Sequence, residues 1–129
     1  MVKHISSGSS FEEKFGYCRA VIDGEMVYVS GTTGYDYSTM ELPGGVEAQT
    51  RNTLVNIAKA LDEAGCTLGD VLRVRYYLAD RSDIDLVAPL LGAAFAVSRP
   101  AATLVIAGLI KEKMKIEIEV TARIGAASS

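Results

Sequence analysis

The chain has 129 residues, of which 49% are hydrophobic and 22% are charged, with a formal net charge of -3 and a pI near 5.1. This length predicts one domain, residues 1–129, with enough apolar side chains for a core of its own. The acidic balance argues against a nucleic-acid partner, which needs clustered Lys and Arg, and no apolar stretch suits export or membrane spanning, so we expect a cytoplasmic protein with a small-molecule partner.

A β-hairpin is the first predicted element. Residues 17–22 and 26–30 are rich in β-forming side chains, and they flank Asp23 and Gly24, a pair that favours the φ > 0 geometry of a tight turn. The dozen residues at the N-terminus have no clear pattern, so we expect them to be loosely held. His4, the only histidine, falls among them and is expected to be solvated.

A helix and a strand come next. Apolar side chains recur at three- and four-residue spacing from Val46 to Ala64 and stop before Gly65, which predicts a helix with a left-handed end. Residues 71–79 alternate between apolar and polar side chains, which predicts a strand. Its predicted core face carries Leu72, Val74, Tyr76 and Leu78, and its other face carries Arg73, Arg75 and Tyr77.

The last third of the chain predicts a second helix and two strands. Ser82 and Asp85 resemble a capping box, and Pro89 within the helical stripe predicts a kink or an early start. Residues 101–109 predict a mostly buried strand, whereas residues 115–123 alternate and predict a half-buried final strand. The predicted order is β-β-α-β-α-β-β, and we expect the AASS tail to be loose.

Two helices on one face of about five strands would form a two-layer α+β sandwich with an uncovered second face. Apolar and charged side chains together on that face suit packing against another subunit, so we expect a homo-oligomer with a small-molecule pocket between subunits. Glu117 and Glu119 lie on this face, where Lys115, Arg73 and Arg75 could pair with them. Structural ion pairs are the favoured interpretation of the two glutamates, and a catalytic carboxylate is the alternative.

Several motifs exclude common chemistries. A single histidine excludes Ser-His-Asp and Cys-His nucleophiles and most zinc sites, so we expect no metal. Residues 30–34 (SGTTG) lack the G-K-[ST] of a phosphate loop, and we expect no cofactor. Residues 111–115 (KEKMK) predict a solvated loop, and Cys18 and Cys66 are expected to be reduced thiols.

Nearly the whole chain matches one family pattern, in five segments. They are FGYCRAVIDGEMVYVSG (15–31), GGVEAQTRNTLVNIAKALDEAG (44–65), DVLRVRYYLAD (70–80), RPAATLVI (99–106) and KIEIEVTARI (115–124). In these segments the chain resembles the RidA (YjgF) family of enamine/imine deaminases, also labelled endoribonuclease L-PSP-like. The resemblance implies a chorismate-mutase-like fold and a homotrimer with a central β-barrel, helices outside and a pocket at each subunit interface.

The resemblance also implies roles for individual residues. By position, Glu117 is the carboxylate that helps to activate water, and Tyr17 and Ser30 line the pocket. Gly31, directly after Ser30, is assigned to the same pocket.

One position departs from the family. The usual R-P-A-R-S reads Arg99-Pro100-Ala101-Ala102-Thr103 here, so Ala102 stands where an arginine pairs with the substrate carboxylate, and Leu104 replaces a frequent cysteine. A methyl group cannot grip a carboxylate bidentately as a guanidinium does. The departure argues against efficient 2-aminoacrylate deamination and predicts a ligand that is less charged or held differently.

Three functions follow from these residues. The first is a divergent RidA-like hydrolase or deaminase acting on an imine, an enamine or a related metabolite, with Glu117 as general acid/base. The second is a non-catalytic ligand-binding or regulatory trimer that retains the pocket. The third is RNA cleavage or translation inhibition, which the acidic charge and the absence of paired histidines disfavour.

Overall fold

One mixed sheet and three α-helices make up residues 2–128, the part of the chain that this computed structural model describes. The strands are β1 (Val2–Ile5), β2 (Ala20–Asp23), β3 (Met26–Thr32), β4 (Val71–Leu78), β5 (Ala101–Ile106) and β6 (Ile116–Arg123). Their order in the sheet is β1-β2-β3-β6-β4-β5, and all neighbours are antiparallel except β4 and β5. The helices are α1 (Ser10–Phe15), α2 (Val46–Glu63) and α3 (Ile84–Ala94).

The core lies between one face of the sheet and the two longer helices, as predicted for a two-layer α+β sandwich. Strand β6 alternates as its sequence indicates, with apolar side chains buried and Glu117, Glu119 and Thr121 half-buried on the other face. Ile57 and Leu61 of α2 are fully buried against the sheet, and α3 contributes Val87 and Leu91 to the same core. Each such side chain contributes about 1.5–3 kcal/mol to folding through burial.

Two strand predictions need small corrections. The hairpin turn consists of Gly24 and Glu25, since Asp23 pairs with Met26, and Gly24 has φ +62°. On β4, a bulge between Val71 and Arg73 turns Leu72 outward, so that Val71 takes the core position predicted for Leu72. The extra residue of a bulge reverses which side chains face the core on one side of the bulge, and a periodic sequence pattern does not reveal this reversal.

The prediction of a loosely held N-terminus is wrong. Strand β1 pairs with β2 along its whole length, and His4 is an exposed residue of this edge strand. Helix α1 begins with a capping box formed by Ser9 and Glu12 and ends at Gly16, which has φ +74°. A four-residue strand and a six-residue helix are too short to show a clear hydrophobic period. The three-residue spacing of Ser9 and Glu12 is nevertheless that of a capping box, so the sequence does indicate the start of this helix.

The C-terminal tail is also ordered as far as the structure describes it. Residues Ala126–Ser128 form a 3-10 turn, in which the amide of Ala127 donates to Oδ1 of Asp70 over 2.8 Å. Ser129, the last residue of the predicted loose tail, lies outside the described residues.

The start of α3 differs from the predicted capping box. Ser82 lies in a 3-10 turn before the helix, where its hydroxyl donates to Oδ1 of Asp80 over 2.8 Å. The helix itself begins at Ile84 without a side-chain cap, and Pro89 lies inside it. Asp80 precedes Ser82 by two residues, and the short local hydrogen bond between them competes with the capping geometry.

Strand β5 is not the mostly buried strand that its composition predicts. It ends at Ile106, it lies at the sheet edge beside β4, and residues 101–105 are all exposed in the single chain. A continuous apolar run indicates cover on both faces. Nothing within the described chain supplies that cover. Within residues 2–128, no helix combines the length and the apolar character that a membrane span requires.

Candidate functional site

A bulge in β3 lies at the centre of the candidate site. Between Val29 and Thr32, β3 advances three residues while its partner β6 advances two, from Val120 to Ile118. The hydroxyl of Ser30 donates to the carbonyl oxygen of Cys18 over 2.7 Å, and its amide donates to the carbonyl oxygen of Arg19 over 2.9 Å. The bulge is therefore held by the segment before β2, and it redirects the backbone beside β6.

The carboxyl group of Glu117 lies directly over Gly31. A Cβ atom at position 31 would be 2.5 Å from Oε2 of Glu117 and 2.9 Å from its Cδ, which is closer than van der Waals contact. Burial raises the pKa of Glu117, the neighbouring Glu119 raises it further, and Arg19 opposes both. This half-buried carboxyl group therefore stays protonated to a higher pH than an exposed glutamate.

Glu117 opens into a cavity of about 340 Å³. The cavity contains four residues that the sequence assigned to one site: Tyr17, Ser30, Gly31 and Glu117. Thr33 and Tyr37 add polar groups, and the remaining wall is apolar, formed by Phe11, Phe15, Ile110 and Met114. Apolar walls with a few convergent polar groups are typical of a site for a small molecule.

Tyr17 stands at the rim of this cavity. Its side chain is 36% exposed, and burial raises the pKa of its hydroxyl, against the effect of Arg19. Residues 17–19 form an irregular segment before β2 and not the start of the predicted strand.

Ala102 and Leu104 do not join the cavity within one chain. Both lie on β5, and β4 separates β5 from the strand that carries Glu117. Ala102 instead borders a shallow depression of about 260 Å³ with Tyr76 and Phe95, and Leu104 is 40% exposed.

Arg19 is the main residue that sequence reasoning missed. Its side chain is 2% exposed, and Nη1 donates to the carbonyl oxygen of Gly31 over 2.7 Å and to Oγ1 of Thr32 over 3.1 Å. The guanidinium carbon lies 4.5 Å from the ring centre of Tyr37 and 5.6 Å from that of Tyr17. The position of Arg19 within the β-forming segment 17–22 could have indicated a special role, because a charged side chain in a strand must be either exposed or paired.

Glu12 is the carboxylate nearest to Arg19. Its Oε2 is 4.0 Å from Nη2 of Arg19 and accepts hydrogen bonds from the amides of Ser7 and Ser9 and from the hydroxyl of Ser7. Burial raises the pKa of Glu12, but the hydrogen bonds from Ser7 and Ser6 and the charge of Arg19 together outweigh burial and hold the pKa below its usual value. The ordered N-terminal segment thus places Glu12 beside Arg19, close to the cavity that contains Glu117.

The loop after β5 completes the cavity wall, which corrects the prediction that residues 111–115 are wholly solvated. Met114 is 3% exposed and packs with Tyr35 and Tyr37. The buried Gln49 of α2 holds this loop through its side-chain amide. Its Nε2 donates to the carbonyl oxygen of Lys113, and its Oε1 accepts from the backbone amide of Lys115, each over 2.8 Å. Gln49 thereby fixes the approach of β6 two residues before Glu117.

The predicted ion pairs of Glu117 and Glu119 do not form within the chain. Among residues 2–128, no ion pair within 4.0 Å joins either glutamate to Arg73, Arg75 or Lys115. Glu119 instead accepts a short hydrogen bond from the hydroxyl of Tyr77, and this bond raises the pKa of Tyr77. Alternation placed the charged groups on the correct face, but cross-strand spacing did not bring them into contact.

A second cavity, of about 300 Å³, lies between the N-terminal segment and α2. Tyr37 borders both cavities, and Arg19 lines this one. Its wall includes Asn56, whose amide group donates to the carbonyl oxygens of Thr33 and Tyr35. None of the site residues assigned from the sequence lies here, so the cavity beside Glu117 is the candidate site.

Comparison with known proteins supports a common origin. A sequence model of the family described as endoribonuclease L-PSP matches residues 8–124. An uncharacterised protein of Streptomyces coelicolor is 35% identical over 129 residues, which cover 99% of this chain and 96% of the relative. A 2-iminobutanoate/2-iminopropanoate deaminase of Rattus norvegicus is 31% identical over 124 residues, which cover 95% of this chain and 90% of the relative.

Solved structures share the architecture. A Mycobacterium tuberculosis member of the YjgF/YER057c/UK114 family has a TM-score of 0.86 at 40% identity, with 95% of this chain and 99% of that chain covered. The YjgF protein of E. coli has a TM-score of 0.82 at 28% identity, with 94% and 98% covered. Together with the fold and the residues around Glu117, these matches establish that the chain belongs to the endoribonuclease L-PSP family, the family of RidA and YjgF.

Proposed function

We propose that the chain is an imine or enamine hydrolase that binds a small metabolite in the cavity beside Glu117. The observation that carries this proposal is a half-buried carboxyl group with a raised pKa, seated over Gly31 and facing a largely apolar cavity. A carboxyl group whose pKa lies nearer to neutral can both accept and return a proton at physiological pH. The rat relative described as a 2-iminobutanoate/2-iminopropanoate deaminase supports the reaction class.

The proposed reaction consumes one water, and Glu117 carries one proton from oxygen to nitrogen in each of two stages. In the first stage Glu117 accepts a proton from water while the oxygen adds to the carbon of the C=N bond, and it gives this proton to the nitrogen, which has received the π electrons. In the second stage Glu117 accepts the hydroxyl proton of the carbinolamine as the C=O bond forms and gives it to the leaving amine, which departs as ammonia. Ser30, whose hydroxyl proton is engaged by the carbonyl oxygen of Cys18, presents its oxygen as an acceptor toward the substrate nitrogen.

We place the complete site between subunits of a homotrimer in which residues 1–129 act as one domain. The exposed β5 and the uncovered sheet face support this assembly, because they carry apolar side chains that a soluble monomer rarely leaves together in water. In the trimer, Ala102 and Leu104 of one subunit would line the cavity of the next. A cytoplasmic location remains a prediction from the sequence.

Ala102 limits the proposed activity toward substrates that carry a carboxylate. Loss of a cation that pairs with a buried acid costs about 2–5 kcal/mol, which corresponds to roughly 30-fold or more in rate or affinity. We therefore expect slower turnover of 2-iminopropanoate than a protein with arginine at this position would show.

The proposal is tested by generating 2-aminoacrylate, which tautomerises to 2-iminopropanoate, with a dehydratase and measuring ammonia release. We expect the wild-type protein to accelerate release above the uncatalysed rate, and Ala102→Arg to increase the rate by at least about 30-fold. Equal rates for the two proteins would show that position 102 does not anchor the substrate. No acceleration by either protein, for this imine or for carboxylate-free imines, would contradict the hydrolase.

A non-catalytic ligand-binding trimer is the second candidate. The observation that favours it is the alanine at position 102, since a family site without its anchoring cation retains a cavity but loses a positioning group. Saturable binding of pyruvate or of its amide, together with an absence of turnover, would identify this function.

A further inference from the structure

We propose that Arg19 sets the charge preference of the cavity beside Glu117, so that a ligand bearing a carboxylate is favoured even though Ala102 stands where relatives carry an arginine. Arg19 is a positioning residue in this proposal, because it acts through the cavity wall and does not touch the ligand. The inference rests on the proposed function only in taking this cavity as the ligand site.

The guanidinium lies one layer of atoms behind the wall. It donates to the carbonyl oxygen of Gly31 over 2.7 Å, and Gly31 is itself part of the wall. It also lies against the rings of Tyr17 and Tyr37, both of which face the cavity. A positive charge this close acts on the cavity through a poorly polarisable protein layer, where electrostatic effects are stronger than in water.

Its charge is only partly neutralised. Glu12 is the carboxylate paired with it among the described residues, at 4.0 Å, which is long for a direct ion pair. The negative charge of Glu12 is shared with donors from Ser7 and Ser9, so its hydrogen-bonding capacity is used away from Arg19. Glu117 and Glu119, which lie near the cavity, are acidic. Lys14 lies 5.4 Å from the ring centre of Phe15 in the cavity wall, but its side chain is exposed, so Arg19 is the buried positive charge beside the site among the described residues.

The effect of Arg19 on the pKa of Glu117 supports the claim that its charge acts inside the cavity. Arg19 opposes the rise that burial and Glu119 cause in the pKa of Glu117. The same charge favours any other negative group in the cavity, including the carboxylate of a bound ligand.

An acid and its amide test this proposal, because they have nearly the same shape and differ in charge. The probes are pyruvate and pyruvamide, and NMR titration at pH 7.5 gives the Kd of each. The measured quantity is the ratio of the amide Kd to the acid Kd, for wild type, Arg19→Gln, Arg19→Lys and Glu12→Gln. A purely structural change moves both Kd values together and leaves their ratio unchanged.

We expect Arg19→Gln to lower this ratio by about fivefold, which corresponds to roughly 1 kcal/mol of lost attraction. Arg19→Lys, which keeps the charge, should retain most of the ratio. Glu12→Gln, which removes the compensating charge and keeps a capping oxygen, should raise the ratio. These opposite signs for the two partners of one ion pair are the signature of an electrostatic role.

An unchanged ratio in Arg19→Gln, or a fall in the ratio in Glu12→Gln, would overturn the inference. If Arg19→Gln does not fold, the other two variants still test the inference. A large fall in the Kd ratio for Arg19→Lys, or any fall in the ratio for Glu12→Gln, would contradict it. Ammonia release from 2-iminopropanoate with an unchanged ratio would leave the proposed function standing without the inference. If the Kd ratios change as predicted but no imine is hydrolysed, the inference about Arg19 stands and the proposed hydrolase is contradicted. If the wild type binds neither pyruvate nor pyruvamide, both the inference and the proposed function are contradicted.

Discussion

Gly31 illustrates how one missing side chain shapes the candidate site. The space that a Cβ atom would occupy is filled by the carboxyl group of Glu117, and the carbonyl oxygen of Gly31 accepts from Arg19. The same residue therefore contacts the acidic group of the cavity on one side and the buried cation on the other. A glycine at this position is required by close approach and not by backbone conformation, because its φ is not positive.

Gly31→Ala is expected to displace the Glu117 carboxyl group and to lower kcat by about 10- to 100-fold, since misplacement of a catalytic group by about 1 Å has effects of that size. The clash is with the end of a flexible side chain, so the Tm should change little. Gly44→Ala is the matched control, because position 44 is exposed with nothing within 4 Å of an added Cβ. The measurement is kcat for ammonia release beside a thermal melt, and an unchanged kcat in Gly31→Ala would contradict the placement of Glu117.

Among the secondary-structure elements, β5 departs most from its sequence pattern. Its apolar run indicated a buried strand, yet it forms an exposed edge beside β4. Leu104 and Val105 are 40% and 38% exposed, and the bulge in β4 adds Leu72 at 43%. The pattern indicates cover on both faces, and we propose that another subunit supplies it.

Leu104→Glu is expected to break the proposed trimer, because it buries an unpaired charge at the interface, at a cost of several kcal/mol. Size-exclusion chromatography with light scattering should give three times the 13.7 kDa chain mass for wild type and a smaller mass for the variant. The control is Val55→Glu, at an exposed apolar position of α2 outside the sheet, which should remain trimeric. A monomeric wild type at micromolar concentration, or a trimeric Leu104→Glu, would contradict this assembly.

For the whole molecule, the sequence predicted which side chains face the core better than it predicted contacts between distant segments of the chain. Alternation along β6 correctly placed Glu117 and Glu119 on the face opposite the core. Tyr17, Ser30, Gly31 and Glu117, which the family resemblance assigns to one pocket, line one cavity. These features follow from periodicity or from matched motifs, both of which are local in the chain.

The features that were missed depend on contacts between distant segments. The bulge in β3 is visible only in the pairing with β6, and the burial of Arg19 depends on Ser7 and Glu12 in a segment expected to be loose. Gln49 holds a loop that is more than sixty residues away in sequence. No single stretch of sequence contains such information, which explains why the two charges beneath the cavity were not predicted.

Glu117→Gln offers the most direct test, because it removes the proton-transferring group and preserves the size of the side chain over Gly31. General acid–base groups contribute about 10²–10⁴-fold to rate, so ammonia release by the variant should fall by at least about 100-fold while pyruvamide binds with an unchanged Kd. A variant that releases ammonia at the wild-type rate would contradict the central role of Glu117.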